Sequence, residues 1–161
     1  MTTNLGFRQI YGIRNFGGEN IAFVDNHQVV YIGGHTIVMY NKSDKRQRFI
    51  HLSEVQDNIT AFTSESGKKL CAVAERGDRP LAHVFDLRTC RKKKSLCAQD
   101  VNSKEFVSMK FSEDSALLLT LTGAPDWTLL CWNWSRNKMV ASLQVSNSPV
   151  SRCTFSPRIY K

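Results

Sequence analysis

An all-β fold is predicted by three observations: no helical periodicity, short β-branched and aromatic runs ended by turn residues, and one phrase that recurs along the chain. No stretch of helical length keeps apolar residues at i, i+3, i+4 and i+7 with caps at both ends. Instead Ile21–Val24 stops at Asp25-Asn26, Val29–Ile32 stops at Gly33-Gly34, and Thr36–Tyr40 stops at Asn41–Asp44. Runs of about five residues with turns every 8–12 positions belong to sandwiches, barrels or propellers.

The repeated phrase chooses among these. It consists of an apolar pair, a Phe, a Ser/Thr-polar-Gly/Ser turn, an apolar strand, and a further strand ending in aromatic-Asp/Asn. One copy runs Ile59–Phe62, Thr63–Gly67, Leu70–Ala74 and Ala82–Asp86. The next runs Val107–Phe111, Ser112–Ser115, Leu117–Leu121 and Leu129–Asn133. An earlier, degenerate copy keeps Phe23 and Tyr40-Asn41, and a later one opens at Val150 and reaches Phe155-Ser-Pro157. Asn41, Asp86 and Asn133 stand 45 and 47 positions apart. A period in this range with four strands per unit is the signature of a WD-type β-propeller blade. The expected organisation of residues 1–161 is a partial, open WD40 β-propeller: blade 1 at about 10–50, blade 2 at about 55–97, blade 3 at about 104–144, and the start of blade 4 at about 148–157.

Blade physics explains the phrase. Inner strands covered on both faces read as continuous apolar runs. The Phe-Ser turn satisfies backbone groups with short polar side chains, and the aromatic before Asp/Asn is expected between adjacent blades. Outer strands tolerate charge, as in Arg46–Phe49 and Arg91–Leu96, because one edge meets water. An open array is also expected to leave Trp127, Trp132 and Trp134 less fully covered than a closed ring would.

Bulk properties narrow the function classes. The composition suits a packed core rather than disorder, and no apolar run approaches the roughly 20 residues of a membrane span. Met1–Arg8 lacks the apolar core of a secretory signal. Cys71, Cys90, Cys97, Cys131 and Cys153 are odd in number and form no Cys-x-x-Cys pair, so buried reduced thiols in a cytosolic protein are expected. His27, His35, His51 and His83 never fall at i, i+4, and they read as surface or blade-edge residues rather than metal ligands. Ser112 and Ser156 lie in the repeated turn, as does Glu113-Asp114, so repetition assigns them to structure and not to catalysis. No phosphate-binding glycine motif occurs. The expectation is a non-enzyme with no catalytic, cofactor-binding or metal residues and no small-molecule substrate.

The net charge of +8 concentrates in Asp44–Arg48 and, above all, in Arg91, Lys92, Lys93 and Lys94. Strand alternation sends Arg91 and Lys93 one way and Lys92 and Lys94 the other. The plain reading is a solvated outer strand that resists edge-to-edge pairing. The functional one is a partner-binding cluster for an acidic protein surface. Nucleic acid ranks last, because no aromatics interleave with the cluster in sequence.

Tyr11–Arg14, Asn20–Phe23, Lys45–Ile50, Cys90–Lys94, Phe106–Ser112, Trp132-Asn-Trp134, Asn147–Val150 and Phe155-Ser-Pro157 also occur in order in a known family. On these stretches the chain resembles the N-terminal propeller region of the cilia- and flagella-associated protein 57 family. That resemblance implies a non-catalytic scaffold of the ciliary or flagellar axoneme, within the cytoplasm and cytoskeleton. It also implies that the scaffold helps attach inner dynein arms to doublet microtubules, with inner dynein arm components as partners; the acidic tails of tubulin are a partner suggested by the basic cluster itself. Family members carry two propellers and long coiled coils, whereas this chain has no heptad and stops inside its fourth unit, as a truncated product such as a splice form would. Beside this reading stands a generic cytosolic WD-repeat adaptor, or a basic nucleic-acid-associated module, without a ciliary role.

Overall fold

A computed structural model describes residues 9–15, 19–52, 59–65, 67 and 69–156. The described residues form twelve strands and no helix. The first sheet holds β1 (Ile21–Phe23), β2 (Gln28–Gly33), β3 (Thr36–Asn41) and β4 (Gln47–His51). The second holds β5 (Ile59–Glu65), β6 (Leu70–Glu75), β7 (Leu81–Asp86) and β8 (Arg91–Cys97). The third holds β9 (Phe106–Phe111), β10 (Leu118–Thr122), β11 (Thr128–Asn133) and β12 (Lys138–Gln144). Each sheet is a four-stranded antiparallel meander in chain order, and the three stand as an open array of propeller blades.

The middle blade shows why its sequence is so apolar. Along β6, Leu70, Ala72 and Ala74 enter the core shared with the third blade, while Cys71 and Val73 enter the core shared with the first. Period-two alternation therefore feeds two seams, and no face is left for water. The seams are built by size complementarity. The alanines Ala72, Ala74 and Ala82 receive Phe106, Phe111 and Trp132 from the third blade. Phe85 and Leu87 pack instead with Ile32, Ile37 and Met39 of the first blade. The aromatic ahead of Asp/Asn thus sits between blades, as expected. Trp132 is one of these seam residues and is 5% exposed, because the neighbouring blade covers it. Only Trp127 and Trp134 are left half-buried.

The open faces carry other apolar side chains. Ile21 and Phe23 of β1 are exposed at one end, and Met139, Val140 and Leu143 of β12 at the other. The segment opening the next repeat, Val150 to Ser156, makes no sheet pairing of its own. It is held to β9 where Ser108 Oγ accepts the Cys153 N–H at 3.1 Å.

The turns follow the phrase. Between β9 and β10 the Ser112 carbonyl accepts the Ser115 N–H at 2.8 Å, Ser112 Oγ accepts the Leu117 N–H at 2.9 Å, and Asp114 accepts the Ala116 N–H at 3.0 Å. Ser112 and Asp114 are consumed by the turn itself. The turn residues Lys45, Cys90 and Asn137 share a left-handed φ of 55°, 56° and 53°. They lie 45 and 47 positions apart, in the same phase as Asn41, Asp86 and Asn133.

Candidate interaction surface

Each hairpin that leads to an outer strand is closed by the Asp/Asn of the repeat. In the second blade Asp86 Oδ1 accepts the N–H groups of Arg88 at 2.9 Å and Thr89 at 3.3 Å. Its Oδ2 lies 3.6 Å from Arg88 and 3.4 Å from Lys93. The Asp86 side chain is buried. Burial alone would raise its carboxyl, but the two backbone donors, Lys93 and the Arg88 charge outweigh it and hold Asp86 below the usual carboxylate range. Arg48 of β4 reaches across the first seam to donate to the Arg88 carbonyl at 3.0 Å and to Cys90 Sγ at 2.6 Å.

This hairpin launches Arg91, Lys92, Lys93 and Lys94 along β8, and all four are exposed. The simple alternation expected for them does not hold. Phe85 pairs with Lys92 and Val84 with Lys94, so Lys93 is the extra residue of a β-bulge. A bulge sets two residues against one and shifts the alternation that follows. Arg91, Lys93 and Lys94 consequently line one depression of about 430 Å³, which Lys92 does not line. Among the described residues Lys93 has Asp86 as its ion-pair partner, while Arg91, Lys92 and Lys94 have none.

The third blade supplies the opposite wall. Trp134, just past β11, stands across the seam in the same depression. Its ring meets Phe111 edge-on at 6.4 Å and 83°, and its Nε1 donates to the Ser115 carbonyl at 2.8 Å. An aromatic therefore does stand beside the basic cluster in space, although none interleaves with it in sequence. Trp134 stands 40 positions beyond Lys94 in the chain, and only blade packing brings them together.

Two other expectations change. His83 is buried rather than at a blade edge, with Nε2 3.4 Å from Glu75 and Nδ1 2.8 Å from Ser95 Oγ. The pairing crosses strands, so linear spacing hides it. Of the cysteines only Cys71 is buried, and burial pushes its thiol far up; the other four are half-exposed. Among the described residues no group of three or more His, Cys, Asp or Glu side chains is placed to hold a metal ion, and no helix is long and apolar enough to cross a membrane.

Three stacked four-stranded sheets carrying the repeated turn define the class: WD-type propeller blades, with a basic outer strand on the middle one. The homologues of the chain are cilia- and flagella-associated proteins 57, 44 and 43, and its sequence is consistent with a region of the protein 57 family. It is 30% identical to mouse cilia- and flagella-associated protein 57 over 152 residues, covering 91% of this chain and 12% of that protein. Mouse cilia- and flagella-associated protein 44 is 25% identical over 138 residues, covering 86% of this chain and 7% of its own length. Cilia- and flagella-associated protein 57 C of Tetrahymena thermophila is 23% identical over 155 residues, covering 90% and 12% respectively. The chain thus spans about a tenth of the length of the curated relatives it matches. No family model matches it.

Proposed function

We propose that the chain is a blade array of a non-catalytic scaffold in the axoneme of cilia or flagella. Its outer basic strand serves as a contact for acidic surfaces of other axonemal proteins. The observation that carries this reading is the match to ciliary and flagellar proteins over about nine tenths of the chain. The finer role is attachment or organisation of inner dynein arms on doublet microtubules, with tubulin or an inner dynein arm component as the acidic partner. Its support is electrostatic. Arg91, Lys92 and Lys94 have no carboxylate partner among the described residues, and exposed like charges held together favour an opposite surface.

The contact is tested by co-sedimentation with microtubules at two salt concentrations, beside a variant carrying Arg91→Ala, Lys92→Ala, Lys93→Ala and Lys94→Ala. Binding should fall as the Debye length shrinks below about 8 Å, and the variant should stay in the supernatant. A variant that pellets like the parent reduces the cluster to a solvated edge. Localisation of the tagged protein tests the wider reading: signal along axonemes supports it, and an exclusively nuclear or diffuse signal refutes it.

A further inference from the structure

The basic strand and Trp134 together form more than a charged edge. The depression lined by Arg91, Lys93, Lys94 and Trp134 joins a second one of about 330 Å³ that shares Asp86, Lys93 and Trp134 and continues to Lys69 and Leu70. The result is an open trough along the seam between the second and third blades. One wall is cationic and the other is an indole.

We propose that this trough binds an extended acidic peptide that lays an aromatic side chain against Trp134 and its carboxylates against Arg91, Lys93 and Lys94. The proposal rests on the reading of the basic strand as a contact for acidic protein, and it names the place and the anchor.

Three observations carry it. First, the bulge at Lys93 gathers Arg91, Lys93 and Lys94 on the Trp134 side, where regular alternation would have turned Lys94 away. Second, Trp134 is fixed before any ligand arrives, by Phe111 at one edge and Ser115 at the ring nitrogen. A platform held in place loses little freedom on binding. Third, the one carboxylate that the described residues place in the trough, Asp86, is already engaged by two backbone N–H groups, Arg88 and Lys93. The charge of Arg91 and Lys94 is therefore left for a ligand.

The anchor follows from the chemistry of the walls. An aliphatic side chain would gain only burial against the indole. An aromatic one adds an offset or edge-on contact with Trp134 and presents its own face to the neighbouring cations. Single-stranded nucleic acid is the lesser match. Such ligands stack successive bases on several aromatics along a charged groove, whereas among the described residues Trp134 is the one aromatic lining either depression.

The test is fluorescence anisotropy with two labelled glutamate-rich peptides that differ in one central residue, Phe or Ala, and with a labelled oligothymidylate. The Phe peptide should bind the wild type roughly tenfold more tightly than the Ala peptide, as an added aromatic contact gives. Trp134→Ala should erase that ratio. Arg91→Gln with Lys94→Gln should weaken both peptides by the same factor and keep the ratio. Equal binding of the two peptides to the wild type overturns the trough while leaving the acidic-surface reading intact. This result needs no variant, so a misfolded Trp134→Ala does not obscure it. Binding of oligothymidylate with neither peptide overturns both readings, as does failure of every probe to bind.

Discussion

Trp132 Nε1 donates a 3.0 Å hydrogen bond to Thr120 Oγ1, and both residues are buried where the second and third blades meet. The bond joins β10 to β11 within the buried seam. It lets a large ring fill the seam without leaving its N–H unpaired, which would cost about 1–3 kcal/mol. Thr120→Val keeps the shape and removes the acceptor. The expected loss is in that range, about 1–3 kcal/mol, read as a lower urea midpoint with an unchanged slope. Adding Trp132→Phe to Thr120→Val should cost less than the two single changes predict, because the orphaned donor is gone. Additive losses would mean that the bond contributes nothing.

Asp86 sets an acid-sensitive point in the second blade. Its folded carboxyl titrates below the usual value of about 3.9. The stability it contributes is therefore fully present above that value and is lost as pH falls through the lower folded pKa. Asp86→Asn keeps an acceptor for the Arg88 and Thr89 N–H groups but removes the charge, so its acid-unfolding limb should be flatter than the parent's. Asp86→Ala removes both and should cost about 1–3 kcal/mol at neutral pH. Identical acid limbs for parent and Asp86→Asn would rule out this role.

Gly34 is the first of the two residues joining β2 to β3, with φ at 61° and open space where a Cβ would stand. Two-residue hairpins demand such a left-handed position. Gly34→Ala should therefore destabilise by about 1 kcal/mol through backbone conformation alone. Gly34→Asn should recover part of the loss, since Asn tolerates this region. Thermal melts of the three proteins decide it, and an unchanged Gly34→Ala melt would contradict the turn geometry.

The outermost strand β12 behaves as surface despite its apolar residues. Val140 is 52% exposed and Leu143 is 64% exposed. Val140→Thr and Leu143→Lys should leave the unfolding free energy within about 0.5 kcal/mol of the parent, the ordinary range for surface changes. A loss of 2 kcal/mol or more would show that β12 buries its side chains in solution.

The blade plan was open to view in the sequence because local rules write it. Ser112 and Asp114 sit in a turn that short polar side chains close, and Phe85 and Trp132 precede the Asp or Asn that ends an apolar strand. The candidate site was only half visible. Arg91 to Lys94 stand out as a run of charge, yet the bulge at Lys93 arises from pairing with Phe85 and Val84, which no count along one strand reveals. Trp134 reaches the cluster only through the packing of Phe106, Phe111 and Trp132 against the alanines of the middle blade. His83 and Glu75 meet within one hairpin, as a diagonal pair set by the register in which Val73 faces His83 and Leu81 faces Glu75. Contacts within a hairpin require its register; contacts across sheets require the sheets.

Lys45, Cys90 and Asn137 occupy one left-handed position in three successive hairpins, yet they share no chemistry. The bend is a property of the main chain, and its occupant is free to change. The residues just beyond it differ as widely: Arg46 to Arg48 in the first hairpin, the cationic run of Arg91 to Lys94 in the second, and Lys138 to Val140 in the third. A protein built this way keeps a common hinge and rewrites the label attached to it, so one chain can present a different recognition code at each step around its rim.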